Sequence, residues 1–336
     1  LARYVVSRLA ITVVMALLAT LVIFLIANTV PGDPVLAQLG DIAASDKAVV
    51  AEWRAKYGLD LPLWQRYLIF LRGLLAGDLG QSIASQRPVL ADIAQFAPAT
   101  LELATAGFLL ALVIGIPLGI LAAVRRDSWI DHLARVVSLI GVSSPTFWLA
   151  FIMLAVFYGG LEIAPGPGRL DPIAFAPKTV TGLYLVDSVI AGDWEAFRDA
   201  AAHLVLPSIV LAAATLGLIT RTTRASMLET IGQDYVRVAR AKGLRERTIV
   251  RGHVLPNALI PVVTLGGLAY ANLLTGAVMT ETIFSWPGLG RYTFRSAAAL
   301  DFPAIMGITL VVALVYLVIN FLIDISYALL DPRVVR

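Results

Sequence analysis

Residues 9–27 read LAITVVMALLATLVIFLIA, and no charged side chain interrupts them. A helix rises about 1.5 Å per residue and the hydrocarbon core of a bilayer is about 30 Å thick, so about 20 such residues cross it. The run is apolar on every face, whereas a surface helix of a soluble protein carries a polar stripe. Its apolar core is longer than that of a secretory leader, and Asn28-Thr29-Val30-Pro31 is no small-residue cleavage site, so the segment reads as retained. Five further stretches share this character: residues 103–124, 136–158, 204–220, 257–280 and 302–323. The span 204–220 is short and has to borrow flanking residues. Together they predict an all-α, polytopic membrane protein with six transmembrane helices, in which spans 2 to 6 form one packed unit.

The composition agrees. Of 336 residues 59% are hydrophobic, 15% are charged and none is cysteine, against about 45–50% apolar and about 25% charged in soluble domains. The chain is too apolar to be disordered. Without cysteine it is neither a disulfide scaffold nor a thiol enzyme.

Orientation follows from Lys and Arg, which favour the cytoplasmic side. With the N-terminus inside, the inner segments hold 15 Lys/Arg against 6 Asp/Glu, and the outer segments 11 against 15. The small net charge of +3 therefore conceals an inner surplus and an outer deficit. This asymmetry predicts both termini inside, and the basic charge indicates topology rather than nucleic-acid binding.

The chain divides into a first transmembrane helix (1–30), an external loop (31–98) and a core (99–330). In the external loop, helical patterns occupy 49–57 and 63–75; Trp64, Tyr67, Leu68 and Leu71 recur at helical spacing after the start signal Leu61-Pro62. Trp53, Tyr57, Trp64 and Tyr67 suit the membrane–water interface. An external cap at a pore mouth and helices that merely anchor the bundle fit this pattern equally. The second outer loop, 159–203, is rich in Gly and Pro early and amphipathic later.

Chemistry is sparse. No phosphate-binding loop and no H-E-x-x-H occurs. His132, His203 and His253 lie in separate segments, read as interfacial residues, and leave no metal site. Gly141-Val142-Ser143-Ser144-Pro145 lacks the second glycine of a nucleophile elbow and reads as a packing segment. Pro117 and Pro145 are expected to kink their helices. Glu102 and Asp324 fall near span ends, away from the mid-membrane position of a carrier's coupling site, and are expected to reach water or a partner. An ion-driven carrier, an intramembrane enzyme and a structural anchor are the rival classes. The first two lack the ionisable or nucleophilic groups they need.

The inner loop 221–256 carries most of the information. After Arg221-Thr222-Thr223-Arg224, Asp234 is expected to cap a short helix, Tyr235 to Lys242, closed by Gly243. Its small residues Ala239 and Ala241 are flanked by Arg237, Arg240, Lys242 and Arg245, a pattern that suits insertion into a partner's groove. A second helix follows and runs into Leu255-Pro256.

This loop resembles the E-A-A-x3-G-x9-I-x-L-P motif of permease subunits of ATP-binding cassette importers. The matching stretch is Arg237-Val238-Ala239, three residues, Gly243, nine residues, then His253-Val254-Leu255-Pro256. Arg237, Val238 and His253 depart from the motif; Ala239 and Gly243 carry it. The phrase from Asp234 to Leu244 is similar to the dipeptide/oligopeptide branch. So are Pro31-Gly32-Asp33-Pro34, Gly77-Asp78-Leu79-Gly80, Pro98-Ala99-Thr100, the loop Glu281-Thr282-Ile283-Phe284-Ser285-Trp286-Pro287-Gly288-Leu289-Gly290, and Asp331-Pro332-Arg333. The resemblance implies the membrane domain of a type I importer in a bacterial inner membrane. It implies a homologous second permease, two ATPase subunits docked at Asp234, Tyr235, Arg237, Ala239, Arg240, Ala241, Lys242, Gly243, Leu244 and Pro256, and an external solute-binding protein. ATP and magnesium would sit on the ATPase chains, with no cofactor bound by this one. Glu281, Phe284, Pro287, Gly288 and Gly290 would form a re-entrant outer loop near the pathway. The substrate stays open among dipeptides, longer peptides, glutathione, nickel complexes, sugars and opines.

Overall fold

The computed structural model describes residues 2–29, 48, 50–51 and 61–330. Among them the chain is all-α, and the extended pairing is limited to a bridge between Gln81 and Pro88. The helices are α1 (Ala2–Thr29), α2 (Leu63–Leu75), α3 (Val89–Val124), α4 (Trp129–Ser143), α5 (Thr146–Met153), α6 (Tyr184–Ala191), α7 (Trp194–Ile231), α8 (Asp234–Ala241), α9 (Glu246–Ile249), α10 (Leu255–Gly276), α11 (Val278–Ile283), α12 (Leu289–Ala298) and α13 (Phe302–Leu330). Wider π-turns extend α5 through Leu154–Gly160 and join α9 to α10 through Val250–Val254.

Among the described residues five helices are long and apolar enough to cross a membrane, and a bent pair makes the sixth. Helices α3 and α7 are much longer than the expected 103–124 and 204–220. At 36 and 38 residues they exceed the bilayer core and project beyond it. Hydropathy reports the part inside hydrocarbon and is blind to polar helical ends. The expected span 136–158, with its kink at Pro145, is the pair α4 and α5, bent by 105°. Proline removes an N–H and pushes the preceding residue out of the α region. Ser144 accordingly adopts φ −78°, ψ 125° before Pro145. Pro117 produces no such break, and α3 continues through it. The expected span 257–280 ends at Gly276, and α11 follows as a separate turn.

Contacts divide the chain into two compact units, residues 1–98 with 288–321 and residues 99–287 with 322–336. Residues 288–321 pack with the segments before residue 99. In the first unit, Tyr67 of α2 meets the Thr20 hydroxyl of α1 at 2.9 Å and the ring of Phe24 at 5.4 Å. Most of the pattern at 49–57, including Trp53 and Tyr57, lies outside the described residues, as do Pro31–Pro34 and Asp331–Arg333. Val89, Ile93, Tyr292, Ala304 and Ile308 form this unit's core. Burial and a hydrogen bond to the Asp92 carboxylate push the Tyr292 hydroxyl up to about 12.

The second unit is built around α7, and glycines bring its neighbours close. A Cβ on Gly107, Gly115 or Gly119 of α3 would meet residues 208–212, 216–219 or 220–223 of α7. The constant offset shows α3 and α7 running parallel. Helix α4 packs antiparallel to α7: Gly141 lies over Ala213, Ser138 over Gly217, and Asp131 opposite Arg224. A buried core of Leu103, Leu204, Leu211, Leu273 and Trp286 ties α3, α7 and α10 together.

Candidate functional site

Helix α7 delivers the loop singled out by the sequence. It ends at Ile231, and Gly232 and Gln233 turn the chain into α8. Here the expectation needs two corrections. The residue before the helix is Gln233, and Asp234 is its first member, with a carboxylate 3.3 Å from the Arg237 guanidinium. Ala239 does not face a partner: with Val236 it is buried against Met227, Ile249, Val254 and Ala258 of the same chain. Helical spacing of three places both residues on the face that glues α8 down.

The opposite face is free of such cover. Tyr235 and Val238 are 44% and 52% exposed, and Asp234, Arg237, Arg240, Ala241, Lys242, Leu244 and Pro256 are exposed as well. The Tyr235 hydroxyl accepts a hydrogen bond from the Asn257 amide at 3.2 Å, which fixes the ring at the helix start. The Glu246 carboxylate accepts from Arg240 at 2.6 Å and raises the affinity of that guanidinium for its proton. Gly243 has φ +78° in the left-handed region, and a Cβ there would meet nothing within 4 Å. The glycine is set by backbone shape and not by crowding within the chain.

Below this surface lies a support that sequence reading missed. Asp131 of α4 is fully buried and accepts from both Nε and NH2 of Arg224, the latter at 2.9 Å, and from Arg135 at 2.8 Å. A bidentate, charge-assisted pair holds two helices in one register. Its members are 93 residues apart, which no local spacing rule connects.

The second group of expected residues gathers at the other end of α7. Glu281 is fully buried, and Thr100 donates to its carboxylate at 2.6 Å. Phe284 is buried, and its carbonyl accepts from the Gly168 N–H at 2.9 Å. Trp286 donates to the Ala99 carbonyl at 2.8 Å. The non-helical stretch between α11 and α12 is confined to residues 284–288. Gly288 and Gly290 are buried and Pro287 half-buried. Glu281 and Phe284 thus face protein, which is where irregular backbone at membrane depth is allowed.

Glu102, expected near a helix end, lies inside α3 and is buried. It pairs with Arg169 and accepts from the Leu185 N–H at 2.8 Å. The Arg169 guanidinium also lies 3.6 Å from the centre of the Tyr184 ring and 5.6 Å from that of Trp286. One buried cation so ties the outer loop to α3. His203, expected at an interface, is buried beside Asp199. Among the described residues no cluster of three or more His, Cys, Asp or Glu could hold a metal.

Residues 115–336 match the family model described as the binding-protein-dependent transport system inner membrane component, and residues 1–104 match that of its N-terminal region. The chain belongs to this family. It is an all-α, multi-pass inner membrane component of a transport system. Among its relatives is the probable D,D-dipeptide transport system permease protein DdpB of Escherichia coli K12, 49% identical over 93% of this chain and 92% of that protein. The dipeptide transport system permease protein DppB of the same strain is 40% identical over 99% and 98%. A solved structure of the MetNI methionine ABC transporter is similar at a TM-score of 0.49 and 18% identity, covering 69% of this chain and 93% of that one.

Proposed function

We propose that this chain is the permease subunit of an ATP-driven importer that carries small peptides across a bacterial inner membrane. In this reading it works with a second, homologous permease, two ATPase subunits and an external solute-binding protein. It performs no covalent chemistry itself, and ATP and magnesium belong to the ATPase chains. The names of its relatives support the substrate class, and their high coverage of both chains supports the shared architecture.

The observation that carries the reading is α8, a short helix with one face fixed to its own chain and the other bare, basic and aromatic. It stands at the end of α7, the helix to which α3 and α4 are joined by close contacts. Closure of two ATPase subunits docked on α8 would displace it, and α7 would pass the displacement toward the buried Glu102 and Glu281 groups. Alternating access needs two states of the bundle that the docked partners bind with different affinity.

Gly243→Asp tests it. A side chain here meets no clash, and its cost is the strain of a left-handed φ confined to one exposed helix end. The variant is therefore expected to insert into the membrane, which its abundance in the membrane fraction checks. Its carboxylate places an unfavourable charge at the docking face, and ATP-driven dipeptide uptake with co-purification of the ATPases is lost. Normal uptake by this variant would overturn the coupling role of α8.

A further inference from the structure

Between α7 and α10 lies a groove of about 420 Å³ whose lining reaches Thr146, the first residue after the α4–α5 break. The rest of the lining is Leu, Ala and Gly, apart from Thr215 of α7 and Asn272 of α10. It contains three polar side chains and no charge. Thr215 is 6% exposed, yet its hydroxyl finds no hydrogen-bond partner among the described residues. Ser208, Thr220 and Thr223 of α7 are unpaired as well, but none of them lines the groove, whereas Thr215 does. The Asn272 carboxamide and the Thr146 hydroxyl are also without side-chain partners among the described residues.

An unpaired amide or hydroxyl facing hydrocarbon costs several kcal/mol, on the order of 2–7 by transfer measurements. This face of the α7–α10 pair is therefore no lipid surface. The groove has the size of a small-molecule site, typically about 300–1,000 Å³, with a few convergent polar groups on an apolar wall. Neutral hydrogen-bonding groups suit a pathway, where a solute has to be held weakly enough to leave. The carboxamide and hydroxyls together offer both acceptors and donors, the complement of a peptide unit's N–H and C=O. Helices α3 and α4 fill other sides of α7 at this level, and Ala214 in the groove is exposed.

We infer that Asn272, with Thr215 and Thr146, is a specificity-determining contact for the peptide bond of the transported solute. The inference rests on the proposed peptide import and deepens it. The test uses the complete importer, with binding protein, in proteoliposomes. Uptake of Ala-Ala is compared with uptake of its ester analogue, alanyl-lactate, which lacks the peptide N–H. The binding protein also discriminates between the two probes, but its contribution is common to every permease variant. The amide-to-ester uptake ratio should fall about tenfold in Asn272→Leu relative to the unmodified importer, and severalfold in the near-isosteric Thr215→Val. Asn272→Gln should restore part of the ratio. An unchanged ratio in both Asn272→Leu and Thr215→Val overturns the inference while leaving peptide import standing. So does loss of the second permease from purified Asn272→Leu, which would make the groove a helix–helix contact. Absence of ATP-driven Ala-Ala uptake by the unmodified importer would sink the import reading and this inference together.

Discussion

Arg169 shows what one residue contributes when its charge is buried. Its partner Glu102 is 8% exposed and Arg169 itself 7%, so neither charge is well hydrated. Removing one member strands the other, and such losses run about 3–5 kcal/mol. Arg169→Leu should therefore lower the thermal unfolding temperature of the purified protein markedly, and Arg169→Leu with Glu102→Gln should recover much of the loss. Equal destabilisation by the single and double variants would rule out an uncompensated charge as the cause. Asp187 makes a different prediction. Burial alone would raise its pKa, but the N–H groups of Thr181, Val180 and Gly182 and the Thr181 hydroxyl outweigh burial and lower it. A lowered folded pKa adds stability above the unfolded value of about 3.9, and that stability fades as pH falls through the folded value. Asp187→Asn should flatten this acid limb of a stability–pH profile measured by proteolysis of the 171–187 loop. Neither residue stood out in the sequence, because their partners come from folding and not from spacing. Gly243 did stand out, because a left-handed helix end is a local event that one residue type announces.

Among the elements, α7 has the strongest constraints on its neighbours. Pairs 131/224, 138/217 and 141/213 keep a nearly constant sum, which is the signature of an antiparallel helix pair in register. The backbone approach at its middle leaves no room for a side chain: a Cβ on Gly217 would come 2.6 Å from the Ser138 carbonyl oxygen. Small residues permit such approaches in membranes, where packing rather than water drives association. Overfilling a close contact costs about 1–3 kcal/mol. Gly217→Leu should accordingly separate α4 from α7, lower stability by that order and weaken the Asp131–Arg224 pair. A disulfide engineered between the two helices near the pair would form more slowly in the variant than in its parent; equal rates would contradict the register. The spans themselves were legible in the sequence because hydropathy measures the same transfer free energy that places them. The break at Pro145 was legible as a bend, but its 105° angle was not. That angle depends on where α5 packs after the break, against Leu206, Val210 and Phe284.

At the scale of the molecule, the absence of cysteine turns the charge asymmetry into a direct measurement. Helix α7 has 38 residues, about 57 Å at 1.5 Å per residue. Loop 159–192 precedes it and α8 follows it, so the two lie at opposite ends of a rod longer than the bilayer is thick. Lys and Arg concentrate at the α8 end, in α8 itself, in Arg221 and Arg224, and in Arg125, Arg126 and Arg135 between α3 and α4. If that end is cytoplasmic, Ile173 faces outward and Lys242 inward. Both are exposed, Ile173 at 87%. With no native thiol to react, Ile173→Cys and Lys242→Cys each carry a single site for a membrane-impermeant maleimide. Intact spheroplasts should label Ile173→Cys at once and Lys242→Cys only after permeabilisation. The reverse pattern would place α8 outside, beyond reach of any ATPase in the cytoplasm, and the coupling role would fall with the orientation. Labelling of both sites in intact cells would mean that α7 does not span the membrane, against the apolar run at its centre.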